Sequence, residues 1–446
     1  MIRLLQPIYT ALYGAGLLVY APFLLYRVAL RGKKVGLRQR FGILSGLHLK
    51  EKSRPRIWIH AVSVGEVNAI RPLARRLSEE GFDLFLSTTT DTGQEQARRL
   101  FGDSLAVFFF PLDFVSVCSR VLRQLQPDLL VLAESEIWPN LIEAASRLQV
   151  PVILVNGRVS DVSFSRYFRF RALLRPLLHR ISLFCMQSER DRQRMIRLGV
   201  PAESVIETGN LKFDYMAPDG ACESDLCRTL VELLDIGPDS MVWLCGSTRE
   251  GEEEKLFPVY LRLRGRFPGL RWIVAPRHPH RGGAIEALLQ RHGISAVRRS
   301  GMRLNDGPPR RPSEKTEALV LDSIGELAFL YRIADVVFVG GSLVPAGGHN
   351  PIEPAASGKP VLFGPSMENF REVARIFLEN EAATQVQSEW ELETCLRRLL
   401  ADPDERKRLG ENALDQVHRN QGAVEKTCEI ICSRLARHAE ASAAMG

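Results

Sequence analysis

Twelve short apolar runs, separated by amphipathic stretches, constrain this chain more than any other feature. Seven lie in the first half, at Ile57–Ala61, Leu84–Ser87, Ala106–Phe110, Leu129–Ala133, Val152–Val155, Leu183–Met186 and Val205–Glu207. Five follow, at Met241–Cys245, Trp272–Ala275, Ala318–Leu321, Val336–Val339 and Val361–Phe363. Runs this short, apolar on both faces and interleaved with segments such as Ala69–Ser78 and Leu141–Leu148, predict βαβ units and parallel sheets covered by helices. The pattern loosens after Gly209-Asn210 and restarts at Met241, which predicts a linker near residues 210–240. A chain of 446 residues exceeds what one core sustains, so two α/β domains with a cleft between them are expected.

In such sheets ligands bind at the carboxyl ends of the strands. The first run leads into Ala61-Val62-Ser63-Val64-Gly65-Glu66, a strand, a tight turn and a helix start. Gly65 permits a sharp turn or close approach of a ligand, and Ser63 is placed to cap the first helical turn. Glu66 has two readings. One is a first-turn carboxylate complementing the helix dipole; the other is a general base at the mouth of a cleft. A second strand ends in Glu134-Ser135-Glu136-Ile137-Trp138-Pro139-Asn140, again either helix-start acids or members of the Glu66 site. Asn156-Gly157-Arg158 ends a third strand. From Arg158 to Arg180 six arginines meet one acid, Asp161, with Phe164, Tyr167, Phe168 and Phe170 interleaved. That stretch is either a solvated helix with an aromatic core face or a surface for an anionic lipid, favoured here over nucleic acid.

In the second half, Gly246-Ser247-Thr248-Arg249 resembles a phosphate-holding junction but lacks the Gly-Lys-Ser/Thr ending of a P-loop. Ala275-Pro276-Arg277-His278-Pro279-His280-Arg281 offers cations suited to a nucleotide phosphate. The pair His278 and His280 lacks the further ligands a metal site needs, so no metal is expected. The densest stretch is Gly340-Gly341 through Gly347-Gly348-His349-Asn350-Pro351-Ile352-Glu353-Pro354. Its glycines allow close backbone approach, its short helix start favours an anion, and Glu353 is placed to accept from ribose hydroxyls. Ile324-Gly325-Glu326 follows the preceding strand and falls on the same edge. Residues 300–314, rich in Pro, Arg and Gly, read as a surface loop.

Leu4 to Tyr26 is a run of 23 residues without charge, long enough to cross a hydrocarbon core of about 30 Å. Pro7, Pro22, Gly14 and Gly16 interrupt it, so it either spans the bilayer or lies in its interface. Arg27, Arg31, Lys33, Lys34, Arg38 and Arg40 follow with no acid before Glu51, which places the rest of the chain in the cytoplasm. The net charge of +7 favours an anionic partner. Eight scattered cysteines without a CxxC pair suit a reducing compartment and argue against zinc or redox motifs.

These motifs, together with Thr208-Gly209-Asn210-Leu211-Lys212-Phe213-Asp214, resemble the 3-deoxy-D-manno-octulosonic acid (Kdo) transferases of lipopolysaccharide assembly. The resemblance runs from the N-terminal segment to at least residue 380. It implies two Rossmann-like domains facing across a cleft, the GT-B type, with an N-terminal membrane anchor helix. On that reading residues 1–30 are the anchor, 31–215 the acceptor domain, 216–420 the donor domain and 421–446 a terminal helix. The implied reaction is inverting transfer of Kdo from CMP-Kdo to a hydroxyl of a lipid A precursor, at the cytoplasmic face of the inner membrane, without a cofactor. The family's base falls on Glu66. Its CMP-binding positions fall on Pro276 and Arg277, on Ile324, Gly325 and Glu326, and on Asn350, Pro351, Ile352 and Glu353. Two other readings share parts of the pattern. A nucleotide-sugar epimerase shares the architecture but needs no anchor, and a membrane-tethered nucleotide-sugar sensor leaves Glu66 without a role.

Overall fold

The computed structural model describes residues 6–19, 36–44, 52–102, 104–214, 222–302 and 316–445. The chain forms two compact units. One comprises Met1–Asp214 and Asn420–Gly446, the other Tyr215–Arg419.

The first unit is built on β1 (Arg56–His60), β2 (Asp83–Thr88), β3 (Ala106–Phe109), β4 (Leu129–Ala133), β5 (Val152–Gly157), β6 (Leu183–Met186) and β7 (Val205–Glu207). They pair in parallel in the order β3-β2-β1-β4-β5-β6-β7. The order reverses between β1 and β4, the switch point at which doubly wound sheets bind ligands. Every residue of β1 and β4 is buried, as a strand covered on both faces requires. One core layer gathers Trp58, Phe108 and Phe184. The opposite layer joins Ile57, Ile59, Ile70 and Leu73 to Cys428 and Ile431 of the last helix, Ala423–Met445. That terminal helix therefore belongs to the first unit. Asp214 accepts from Gly422 N and Val424 N at 2.6 and 2.7 Å, tying down its first turn.

The second unit carries β8 (Met241–Thr248), β9 (Leu270–Pro276), β10 (Ala296–Arg298), β11 (Ala318–Val320), β12 (Val336–Val339), β13 (Val361–Phe363) and β14 (Thr384–Gln385). They pair in the order β10-β11-β9-β8-β12-β13-β14, with the reversal between β8 and β12. Trp272 stacks on Trp243 and Tyr260, with ring centroids 5.5 and 4.9 Å apart, filling the space between sheet and helix Glu253–Arg266.

One expectation changes. The stretch read as a linker near residues 210–240 holds a helix, Cys222–Leu233, whose Leu230 and Leu233 pack under the second sheet. The N-terminal run is helical at residues 6–19, and the rest of Leu4–Tyr26 lies outside the described residues. Among the described residues no helix is long and apolar enough to cross a membrane. The basic run 27–35 and most of the 300–314 loop also lie outside the described residues.

Candidate active site

Glu66 sits three residues into helix Val64–Glu79, which opens where β1 ends. Its Oε2 accepts from Val62 N at 2.8 Å and its Oε1 from the Ser63 hydroxyl at 3.1 Å. Ser63 therefore does not cap the helix as expected. Its hydroxyl is spent on the carboxylate, and its side chain makes no cap hydrogen bond. Gly65 has no positive φ either. An added Cβ there would meet only the Ser63 hydroxyl, at 3.9 Å, so this glycine leaves room beside Glu66 rather than turning the chain.

Glu66 is only 8% exposed. Burial pushes its carboxyl up to about 7, and repulsion from Glu136 and Glu134 adds to the rise, against the hydrogen bonds from Val62 N and Ser63. A carboxyl held near neutrality both accepts and releases a proton readily. The dipole reading and the base reading of this residue are thus compatible. It lies at a helix start, and the surroundings that raise its pKa suit it to proton transfer.

Glu134 follows β4, directly across the switch point, in a left-handed conformation with φ 55°. Its carboxylate is clamped by Arg158 Nε and Lys212 Nζ, each at 3.1 Å. Glu136 stands nearby with its carboxyl raised by burial and then by Glu134. Asn156, at the end of β5, is left-handed too, with φ 54°, and accepts from Leu211 N at 3.0 Å. Non-glycine residues held in this region at strand ends mark a site where backbone strain is retained. His60 is part of the scaffold. It is buried, stacks on Phe110 at 3.9 Å, and burial lowers its pKa to about 3, so it stays neutral.

In the second unit the polar edge forms around β8, β9, β11 and β12. Arg249, just past β8, donates through Nη1 to His278 Nε2 at 3.1 Å and through Nε to His349 Nε2 at 3.2 Å. Burial and then Arg249 and Arg277 lower the His349 pKa to about 3, leaving a neutral acceptor. His278 is lowered by the same influences. Arg277 N donates to Thr248 O at 2.9 Å, which fixes the chain after the buried Pro276. Arg281 is held by Glu253, at 2.8 and 3.0 Å, instead of pointing its charge at a ligand.

The glycine-rich stretch departs from expectation in one respect. Its N–H groups at Gly341, Ser342 and Leu343 donate to the fully buried Glu252 carboxylate at 2.6, 3.0 and 3.0 Å, joined by Arg249 N at 3.1 Å. The first part of the loop is thus an anion nest already filled by the chain's own carboxylate. Gly341 has φ 69°, and a Cβ there would lie 3.0 Å from the His349 ring, so no larger residue leaves that ring in place. The helix Ile352–Ala356 is five residues long, and Asn350 Oδ1 takes its Ile352 N–H at 3.1 Å. Asn350 Nδ2 donates to Glu353 at 3.2 Å, while burial raises that carboxyl. Pro351 and Ile352 are buried beneath these groups. Glu326 accepts from Arg299 Nη2 at 2.7 Å and from Ser323, and the exposed Ile324 and Gly325 precede it. The residues expected at the donor site therefore lie at or just after the end of β9, after β11, or between β12 and the first turn of helix Ile352–Ala356. Arg158, Lys212, Arg249, Glu252 and His349 complete the two edges. Their roles escape a reading by spacing, because each partner is remote in the chain or hidden in a loop.

The fold has solved counterparts. A glycosyltransferase from Rickettsia africae has a TM-score of 0.57 at 12% identity, covering 86% of this chain and 99% of that one. The UDP-GlcNAc 2-epimerase from Neisseria meningitidis has a TM-score of 0.55 at 14% identity, covering 86% and 100%. At such identities the likeness is one of fold, two parallel-sheet α/β units of the GT-B type. Sequence carries the assignment further. Residues 35–215 match the family model described as 3-deoxy-D-manno-octulosonic-acid transferase (kdotransferase). Over 433 residues the chain is 34% identical to the 3-deoxy-D-manno-octulosonic acid transferase of Haemophilus influenzae, covering 96% of this chain and 99% of the relative. The chain belongs to the Kdo transferases and is a glycosyltransferase.

Proposed function

We propose that this protein moves Kdo from CMP-Kdo to a hydroxyl of a lipid A precursor of the lipid IVA type, with inversion, at the cytoplasmic face of the bacterial inner membrane. The observation that carries the reading is Glu66, a buried carboxylate at the switch point of the first sheet with its pKa pushed up to about 7. The acceptor hydroxyl gives its proton to Glu66 as its oxygen bonds to the anomeric carbon of Kdo. CMP departs from the opposite side with the electron pair of the broken bond, which inverts that centre. Arg277 and Arg249 supply positive charge where the leaving phosphate develops its own. Pro276, Ile324, Gly325, Glu326, Asn350, Pro351, Ile352 and Glu353 shape the CMP site, with Glu353 accepting from ribose.

The uncharged N-terminal run and the basic residues after it fit an enzyme whose acceptor resides in an anionic leaflet, where each lysine or arginine adds about 1 kcal/mol of attraction. The test is incubation with CMP-Kdo and lipid IVA, read by mass spectrometry for added Kdo. Wild type is expected to add it, and Glu66→Gln is expected to fold, bind CMP and add almost none. Absence of product from wild type that is folded and binds CMP overturns the reading. Counting the Kdo residues on the product also fixes how many are added.

A further inference from the structure

The first unit contains a cavity of about 280 Å³ that the catalytic reading does not use. It lies under helices Asp161–Arg169 and Arg171–Leu178. Leu154, Leu174, Leu177, Phe184, Met186 and Met195 supply much of its wall. Its charged and hydroxyl lining residues are few and come mainly from the strand ends: Glu134, Ser135 and Arg158. Polarity is therefore segregated. One end of the space belongs to the edge that holds Glu66, and the rest is apolar.

Closed protein interiors pack without voids of this size. Its mostly aliphatic and aromatic wall gives water few partners away from Glu134, Ser135 and Arg158. The arginine and aromatic residues of this region are arranged around the cavity. Arg158 is held on Glu134 at the polar end, and Tyr167 lines the wall. Arg171 covers the Phe168 ring at 4.3 Å and Arg197 the Phe164 ring at 5.1 Å, stacking the cations on the covering helix. The helix at residues 6–19 reaches the same cavity through Tyr9, whose hydroxyl donates to Asp113 at 2.9 Å. That helix leaves Ile8, Leu12, Leu18 and Val19 exposed, and Val162 and Phe170 are exposed on the covering helices. Apolar surface thus adjoins a largely apolar cavity whose polar end includes Glu134, a carboxylate close enough to raise the pKa of Glu66.

We propose that this cavity binds one fatty acyl chain of the acceptor lipid, with the polar head held at Glu134, Ser135 and Arg158 so that its hydroxyl meets Glu66. The proposal rests on the acceptor reading given above and assigns the chain a seat within the first unit. It makes Leu174, Leu177 and Met195 determinants of which acyl acceptors are used.

The test compares an acylated acceptor with its fully deacylated counterpart, and measures binding of the fluorescent fatty acid cis-parinarate to the full chain without donor. Each buried methylene is worth about fourfold in affinity, so wild type is expected to favour the acylated acceptor by about 100-fold or more in kcat/KM. Leu174→Trp, which fills the cavity, is expected to shrink that preference at least tenfold and to weaken parinarate to match. If Leu174→Trp fails to fold by circular dichroism, the smaller Leu177→Phe carries the same comparison. Unchanged preference and unchanged parinarate binding in a folded, filled variant overturn the proposal. Parinarate bound in the cavity by a wild type that transfers no Kdo supports the cavity and removes the transfer reading. Kdo transfer with equal use of both acceptors removes the cavity and leaves transfer standing.

Discussion

Both sheets reverse their strand order beside their first strand, and both gather polar side chains at that edge, but the first gathers three carboxylates, one of them paired with Arg158 and Lys212, whereas the second presents Arg249 and Arg277 beside carboxylates already bound within the chain. Glu66, Glu134 and Glu136 share one edge, where burial and mutual repulsion hold Glu66 near neutrality. Arg249, Arg277, His278 and His349 share the other, where burial and the same arginines keep both histidines neutral. One scaffold thus yields an edge with a carboxyl poised near pH 7 and an edge presenting arginines, set by three side chains on the first and four on the second. On the proposed reaction the difference suits the two partners: the attacking hydroxyl would lose a proton, and the leaving group would be stabilised as an anion.

The sharpest way to break the comparison is to remove the first edge's base. Glu66→Gln is expected to lower kcat by roughly 10²- to 10⁴-fold with CMP-Kdo binding retained, measured by steady-state transfer and by calorimetry with CMP. The same variant has a stability signature. Glu66 has a folded pKa of about 7 against an ordinary 4.5, so the folded state binds more protons in that window and wild-type stability falls as pH rises through it. Glu66→Gln removes that slope and is expected to be more stable than wild type by about 1–3 kcal/mol at pH 8 in urea unfolding. Turnover like wild type, or no stability gain at pH 8, contradicts a buried base here.

The second edge breaks differently, because its loop is held from within. Glu252→Ala leaves the N–H groups of Gly341, Ser342 and Leu343 without their acceptor in a buried place. The expected loss is roughly 3 kcal/mol or more, seen as a lower unfolding midpoint of the second unit. An unchanged midpoint means the loop keeps its shape without that carboxylate. A smaller effect is expected from Arg249→Ala, about tenfold in KM for CMP-Kdo. The His349 titration, followed by NMR, moves from about 3 toward the ordinary 6.5 but stays below it, since burial is the larger cause. A His349 titration that does not move uncouples the two residues.

The sequence made the scaffold legible because parallel strands buried on both faces are apolar throughout, and every run named from it became a strand. The two strands it did not show, Ala296–Arg298 and Thr384–Gln385, are the outer edges of the second sheet, short and only partly buried. Edge strands lack the double burial that writes an apolar run. The position of Glu66 was legible for the same reason, since it follows a strand. Its pKa was not, because burial and the Glu134–Glu136 neighbours depend on which strand lies beside β1. The pairing of Glu134 with Arg158 and Lys212 joins three strand ends that are far apart in sequence. Glu252 was hidden in plain view: an acid just before a helix reads as a dipole partner, and only the loop after β12 reveals three of its four N–H donors.

The finest distinction lies within the acidic edge itself. Of the two carboxylates that repel Glu66, Glu136 contributes more than Glu134. Glu134 differs from Glu136 in being paired with Arg158 and Lys212, whose charges offset its own. A base must be ionised to act, so kcat is expected to rise with pH through about 7 and then level. Glu136→Gln removes the larger repulsion and is expected to shift that midpoint down, by less than one pH unit, because burial is the first cause and remains. Glu134→Gln frees Arg158 and Lys212 from their partner, so their positive charge acts on Glu66 undiluted. Its midpoint is therefore expected to fall further than that of Glu136→Gln, despite the weaker direct repulsion. Profiles of kcat against pH for the two variants decide it: equal shifts mean the ion pairs do not shield Glu134, and a fall to 4.5 in Glu136→Gln means repulsion, not burial, holds the base near neutrality.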